Sequence, residues 1–151
     1  MNSTLPIADG TNAHFQYEVT TSAPKAEVWR LWSDVSTWPS WDTELESARL
    51  DGAFTSGVTG VLKGKGAPES AFSIADVVDG QRYAVVTKLP LGGTLVIERS
   101  FVGTEQGTRF RHDVRFEGFG GRLLSAFLGK GYREALPGAM ERLRALAEAS
   151  R

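Results

Sequence analysis

The run from Phe119 to Arg151 constrains the chain most, because it is the one long segment with a sustained helical period. Leu124, Phe127, Leu128, Gly131, Ala135, Ala139, Leu143 and Leu146 recur at spacings of three and four. That spacing stacks them on one side of an α-helix of about 3.6 residues per turn. Arg122, Lys130, Arg133, Glu134, Glu141, Arg142 and Arg144 fall mostly off the stripe, so the helix is amphipathic and its apolar side needs a long cover. The middle of the stripe is small, with Gly131, Ala135 and Ala139. Large partners or a ligand must fill the space they leave. Pro137 lacks an N–H and its ring clashes with the carbonyl of Arg133, which predicts a kink between Arg133 and Pro137, eased by Gly138.

Upstream, the sequence supplies the cover. Residues 1–11, rich in Asn, Ser, Thr, Pro and Gly, read as a frayed leader, and residues 12–151 as a single domain. Phe15, Tyr17 and Val19 alternate with polar residues as in a half-buried strand. Ser22-Ala23-Pro24 opens a short helix with Val28, Leu31 and Trp32 inward. A turn or single-turn helix follows at Trp38-Pro39-Ser40-Trp41. Six further strands are read over residues 43–50, 58–63, 71–78, 83–89, 94–102 and 108–117. They are separated by Asp51-Gly52, Gly64-Lys65-Gly66, Asp79-Gly80, Pro90-Leu91-Gly92-Gly93 and Glu105-Gln106-Gly107. Gly118-Phe119-Gly120-Gly121 reads as a hinge into the last helix. Short reversals argue an antiparallel sheet, and helices at two points make the chain α+β.

Several chemistries are set aside by composition. A formal net charge of -1 gives no electrostatic case for nucleic acid. With no cysteine there is no thiolate nucleophile or disulfide, and a cytoplasmic location is the expectation. No apolar run approaches the roughly 18 residues of an integral membrane segment. His14 and His112 are far apart in sequence and His14 is on the polar face of its strand, so neither a metal site nor a cofactor is expected.

The motifs in order carry a likeness. Ala23-Pro24 with Val28-Trp29, Trp38-Pro39-Ser40-Trp41-Asp42, the approach from Gly57 to Gly60, Gly107-Thr108-Arg109, and Leu136-Pro137 followed by Leu143 resemble the START/Bet v 1-like (SRPBCC) superfamily. Within it the sequence is most similar to the polyketide cyclase/dehydrase and lipid-transport group. The resemblance implies a helix-grip: a seven-stranded curved antiparallel sheet wrapped around a long kinked C-terminal helix, with two short helices after the first strand. It also implies a cavity between sheet and helix. Members bind lipids, sterols or polyketides, act as cyclases or dehydratases, or serve as co-chaperones.

Candidate site residues come from strand parity. Phe110, His112, Val114 and Phe116 share the apolar face of the last strand. His112 set among hydrophobes would be neutral, able to orient a ligand oxygen or to act as an acid–base group. On the preceding strand Phe101 and Arg99 share a parity, with Glu98 on the other; Arg99 is read as inward, needing an acidic ligand or a carboxylate such as Asp76. Trp41, Tyr83, Phe127, Gly131, Tyr132 and Ala135 complete the expected ligand-binding set. Three functions stand on this reading: binding or transport of a small hydrophobic ligand, preferred; a cyclase or dehydratase using His112; and an interaction module with a closed cavity. Monomer and homodimer are both open.

Overall fold

The computed structural model describes residues 7–103 and 107–149. The alternating segments form one antiparallel sheet in the order β1-β2-β8-β7-β6-β5-β4-β3. Its strands are β1 (Asp9–Gly10), β2 (His14–Thr21), β3 (Leu45–Leu50), β4 (Thr59–Gly64), β5 (Glu69–Val78), β6 (Arg82–Leu89), β7 (Gly93–Val102) and β8 (Thr108–Glu117). Helix α1 (Lys25–Ser33), a 3-10 turn (Val35–Thr37) and α2 (Trp38–Trp41) follow β2. The chain then ends in α3 (Gly118–Leu124), a π turn (Ser125–Gly129) and α4 (Lys130–Ala149). This is the expected α+β helix-grip.

Among the described residues the sheet has eight strands rather than seven. The added strand, β1, falls in the expected leader and pairs with Phe15 and Gln16. Two residues are too few for alternation to show in a sequence. Ala8 beside it is fully buried; its N–H donates to the Arg133 carbonyl at 3.3 Å, and Arg133 Nε donates to the Ala8 carbonyl at 2.7 Å. The rest of the expected leader, residues 1–6, and the reversal at Glu105-Gln106 lie outside the described residues.

The C-terminal helix packs in two ways. In α4, Leu136, Pro137, Ala139, Met140, Leu143 and Ala147 are buried against β2, α1 and α2, and Pro137 sits within the helix. Arg142 ties α4 to α2 by donating from Nε to the Trp41 carbonyl at 3.0 Å. Upstream the buried face is made of Gly120, Gly121, Ser125 and Gly129, set against the start of β7 and the N-terminal segment. A Cβ on Gly120 would lie 1.8 Å from the Pro90 carbonyl oxygen, and one on Gly129 would lie 2.1 Å from that of Asn12. Backbone meets backbone there, leaving no room for side chains.

This corrects the phase of the apolar stripe. Ala139 and Leu143 are buried as expected, but Phe127 is 77% exposed and Leu128 53%. The π turn inserts a residue that a period of 3.6 does not count. Gly118 to Gly121, expected as a hinge, form the first turns of α3.

Candidate ligand-binding site

Register places three polar side chains in a row across the inner face. Tyr83 on β6 pairs with Arg99 on β7, which pairs with His112 on β8. All three are buried, with Arg99 only 4% exposed. Glu98, of the opposite parity, faces outward and lies 3.4 Å from Arg115. The expected inward turn of Arg99 is therefore what the structure has.

Helices α1 and α2 cover this row with indoles. Trp32 Nε1 donates to His112 Nε2 at 3.1 Å, Arg99 Nη1 donates to the Tyr83 hydroxyl at 2.7 Å, and that hydroxyl donates to the Trp32 carbonyl at 3.3 Å. The Arg99 guanidinium carbon lies 4.7 Å from the Trp38 ring centre and 4.9 Å from that of Trp41. Among the described residues no carboxylate is within ion-pair distance of it. Cation–π contacts offset part of the desolvation of a buried guanidinium. Two donors are left over: Arg99 Nε and Trp41 Nε1 are buried without a hydrogen-bond acceptor. Such groups cost about 1–3 kcal/mol each when nothing accepts from them.

His112 has a defined tautomer. Because Nε2 accepts from Trp32, the proton of the neutral ring sits on Nδ1. Burial, reinforced by the Arg99 charge, holds its pKa well below the ordinary histidine value. Burial also raises the pKa of Tyr83, against the pull of Arg99, and that phenol stays protonated.

A groove of about 410 Å³ opens at the C-terminal end of α2, between β3–β4 and the C-terminal helix. Leu45, Leu62 and Leu128 supply apolar walls, Gly64 and Lys65 one rim, and Asp42 and Tyr132 the polar end. Burial raises the pKa of the Asp42 carboxyl, opposed by the Arg99 charge, and burial with Asp42 nearby raises that of the Tyr132 phenol. Both groups thus sense Arg99. Trp41 and Asp42 are successive residues, one facing the indole cluster and the other the groove.

The residues expected to line one open cavity divide between these two places. Trp41, Tyr83, Arg99, Phe101, Phe110 and His112 form a packed cluster centred on Trp32, whose ring lies 4.8 Å from Phe101 and 5.9 Å from Phe110. Val114 is wholly buried. Tyr132 and the exposed Gly131 line the groove, and Ala135 is half-buried one turn on. Phe127 faces away from the core. Asp42, Leu45, Leu62 and Leu128 were not among the expected residues. Several separate segments contribute to the groove, and no local pattern marks them.

A family model described as polyketide cyclase / dehydrase and lipid transport matches residues 12–148. No curated protein matches the sequence. Among solved structures, a START superfamily protein from Mycobacterium smegmatis is similar at 14% identity, covering 91% of this chain and 99% of that one, with a TM-score of 0.68. A hypothetical protein from Helicobacter pylori is similar at 11% identity, covering 97% and 99%, with a TM-score of 0.74. DynU16, a protein in the dynemicin biosynthetic locus, is similar at 18% identity, covering 92% of this chain and 48% of its own, with a TM-score of 0.64. At these identities the likeness is one of fold.

Proposed function

We propose, from the premise that the chain belongs to the polyketide cyclase / dehydrase and lipid transport family, that it binds a small, largely apolar molecule bearing an acidic oxygen. The apolar body occupies the groove between β3–β4 and the C-terminal helix. The oxygen accepts from Arg99 Nε and Trp41 Nε1, reached past the Asp42 end of α2. The observation that carries this reading is the buried guanidinium with no carboxylate partner and two buried donors without an acceptor. An acceptor-only group such as a carboxylate or enolate supplies what the donors lack.

Binding is preferred over acid–base turnover because of His112. Its one lone-pair nitrogen is occupied by Trp32, and Nδ1–H can only donate. A cyclase or dehydratase using His112 as base would have to break that bond first.

The test is a thermal-shift comparison of laurate and naphthoate with their methyl esters, on the native protein and on Arg99→Met. A ligand at about 100 times its Kd adds roughly 2.7 kcal/mol to stability. The expected result is stabilisation by an acid, a weaker effect of its ester, and loss of the difference in Arg99→Met. Equal stabilisation by acid and ester in both proteins would overturn the acidic oxygen. No shift with any probe would favour the interaction module.

A further inference from the structure

The first half of the C-terminal helix carries its large apolar residues on the outside. Phe119, Leu123 and Phe127, each four residues apart, are 73%, 44% and 77% exposed, while Gly120, Gly121 and Gly129 are buried. Leu91, 65% exposed at the tip of the β6–β7 turn, joins them, because Gly120 N–H donates to the Leu91 carbonyl at 3.1 Å. Leu128, 53% exposed, belongs both to this patch and to the groove wall. Folding does not account for the arrangement, since these side chains contribute little to the core.

Basic residues stand around the patch. Arg122 and Lys130, on the same helical segment, are exposed. Of the nearby acids, Glu117 lies 3.4 Å from Arg115 and Glu134 lies 3.9 Å from Lys130. Arg122 has no ion-pair partner among the described residues. The local surplus is positive on a chain whose formal net charge is -1.

We infer that this face docks on an anionic lipid surface, with Phe119, Leu123, Phe127 and Leu91 entering the headgroup boundary and Arg122 and Lys130 contacting the phosphates. Protruding aromatic and leucyl side chains flanked by Lys and Arg match the requirements of an interfacial helix. Among the described residues no helix is long and apolar enough to cross a membrane, and the inferred contact is with its surface. A second copy fits less well. A two-fold contact through this patch would bring equivalent cations toward one another. Through Leu128 the docked face is continuous with the groove, which would let an apolar ligand pass from bilayer to protein with little exposure to water. The docking itself is independent of the ligand reading above.

The test is flotation of the full chain with vesicles of phosphatidylcholine and phosphatidylserine in equal parts, and with phosphatidylcholine alone. Phe119→Asp/Phe127→Asp and Arg122→Glu/Lys130→Glu are run beside it. All four positions are exposed, and circular dichroism checks that both variants fold. The native chain should float with the anionic vesicles, less with the neutral ones and less as salt rises. The apolar double should weaken binding about tenfold or more, and the charge double severalfold. The inference is overturned if the native chain ignores anionic vesicles, or if the apolar double binds as well as native. It is also overturned if light scattering finds a dimer that the apolar double dissociates.

Discussion

The two halves of the C-terminal helix solve opposite problems with the same backbone. In α4 the large residues point in and the charged ones out: Met140 and Leu143 are completely buried, while Arg142 and Glu134 reach solvent. Across residues 118–129 small residues point in and large apolar ones out. The first half gains stability from close backbone approach at Gly120 and Gly129, and its side chains are free for another task. A helix can thus be amphipathic toward the core in one half and toward something outside the molecule in the other.

Core truncation should separate the halves most widely. Leu143→Ala removes a wholly buried side chain and should cost about 2–5 kcal/mol in urea unfolding. Phe127→Ala should change stability by less than about 0.5 kcal/mol. Similar losses at the two positions would break the comparison.

Glycine replacement should reverse in sign between the halves. Gly120→Ala pushes a methyl into the Pro90 carbonyl and should destabilise by roughly 1–3 kcal/mol, despite the better helix propensity of alanine. Gly138→Ala, in α4, meets only the Arg142 guanidinium, at an ordinary contact distance of 3.4 Å, and should stabilise by about 0.5–1 kcal/mol. Stabilisation by Gly120→Ala would show that α3 is not seated by backbone contact.

A smaller effect comes from the polar row beneath α1 and α2. The folded chain holds His112 neutral, whereas the unfolded chain protonates it below the ordinary value of 6.5. The unfolded state therefore binds more protons, and stability is full above that pH and falls as pH drops below it. The slope attributable to His112 is at most about 1.4 kcal/mol per pH unit. His112→Gln keeps an acceptor for the Trp32 indole and should remove that slope. If unfolding between neutral and mildly acidic pH is the same in both proteins, His112 is not held neutral by burial.

Much of the sheet was legible because β6, β7 and β8 alternate cleanly between glycine-bearing turns, and that parity turned Arg99 and His112 inward. The phase of residues 124–131 was not legible. Its inner face is glycine and serine, which carry no hydrophobic signal, and the π turn resets the count. Nor could the sequence foretell that Trp32 would take the free nitrogen of His112 or that Trp41 and Arg99 would keep buried donors without acceptors. Those facts depend on how α1 and α2 lie across the sheet. Phe110 and His112, expected among the cavity residues, pack against the Trp32 indole, and the groove runs between β3–β4 and the C-terminal helix.

The most direct measurement follows the Arg99 Nε–H and Trp41 indole N–H signals by heteronuclear NMR during titration with laurate and, separately, with methyl laurate. With laurate both signals should move together at one affinity, as groups gaining an acceptor do, and the ester should move them less. Saturable laurate binding that leaves both signals in place would contradict the assignment of these donors to the ligand.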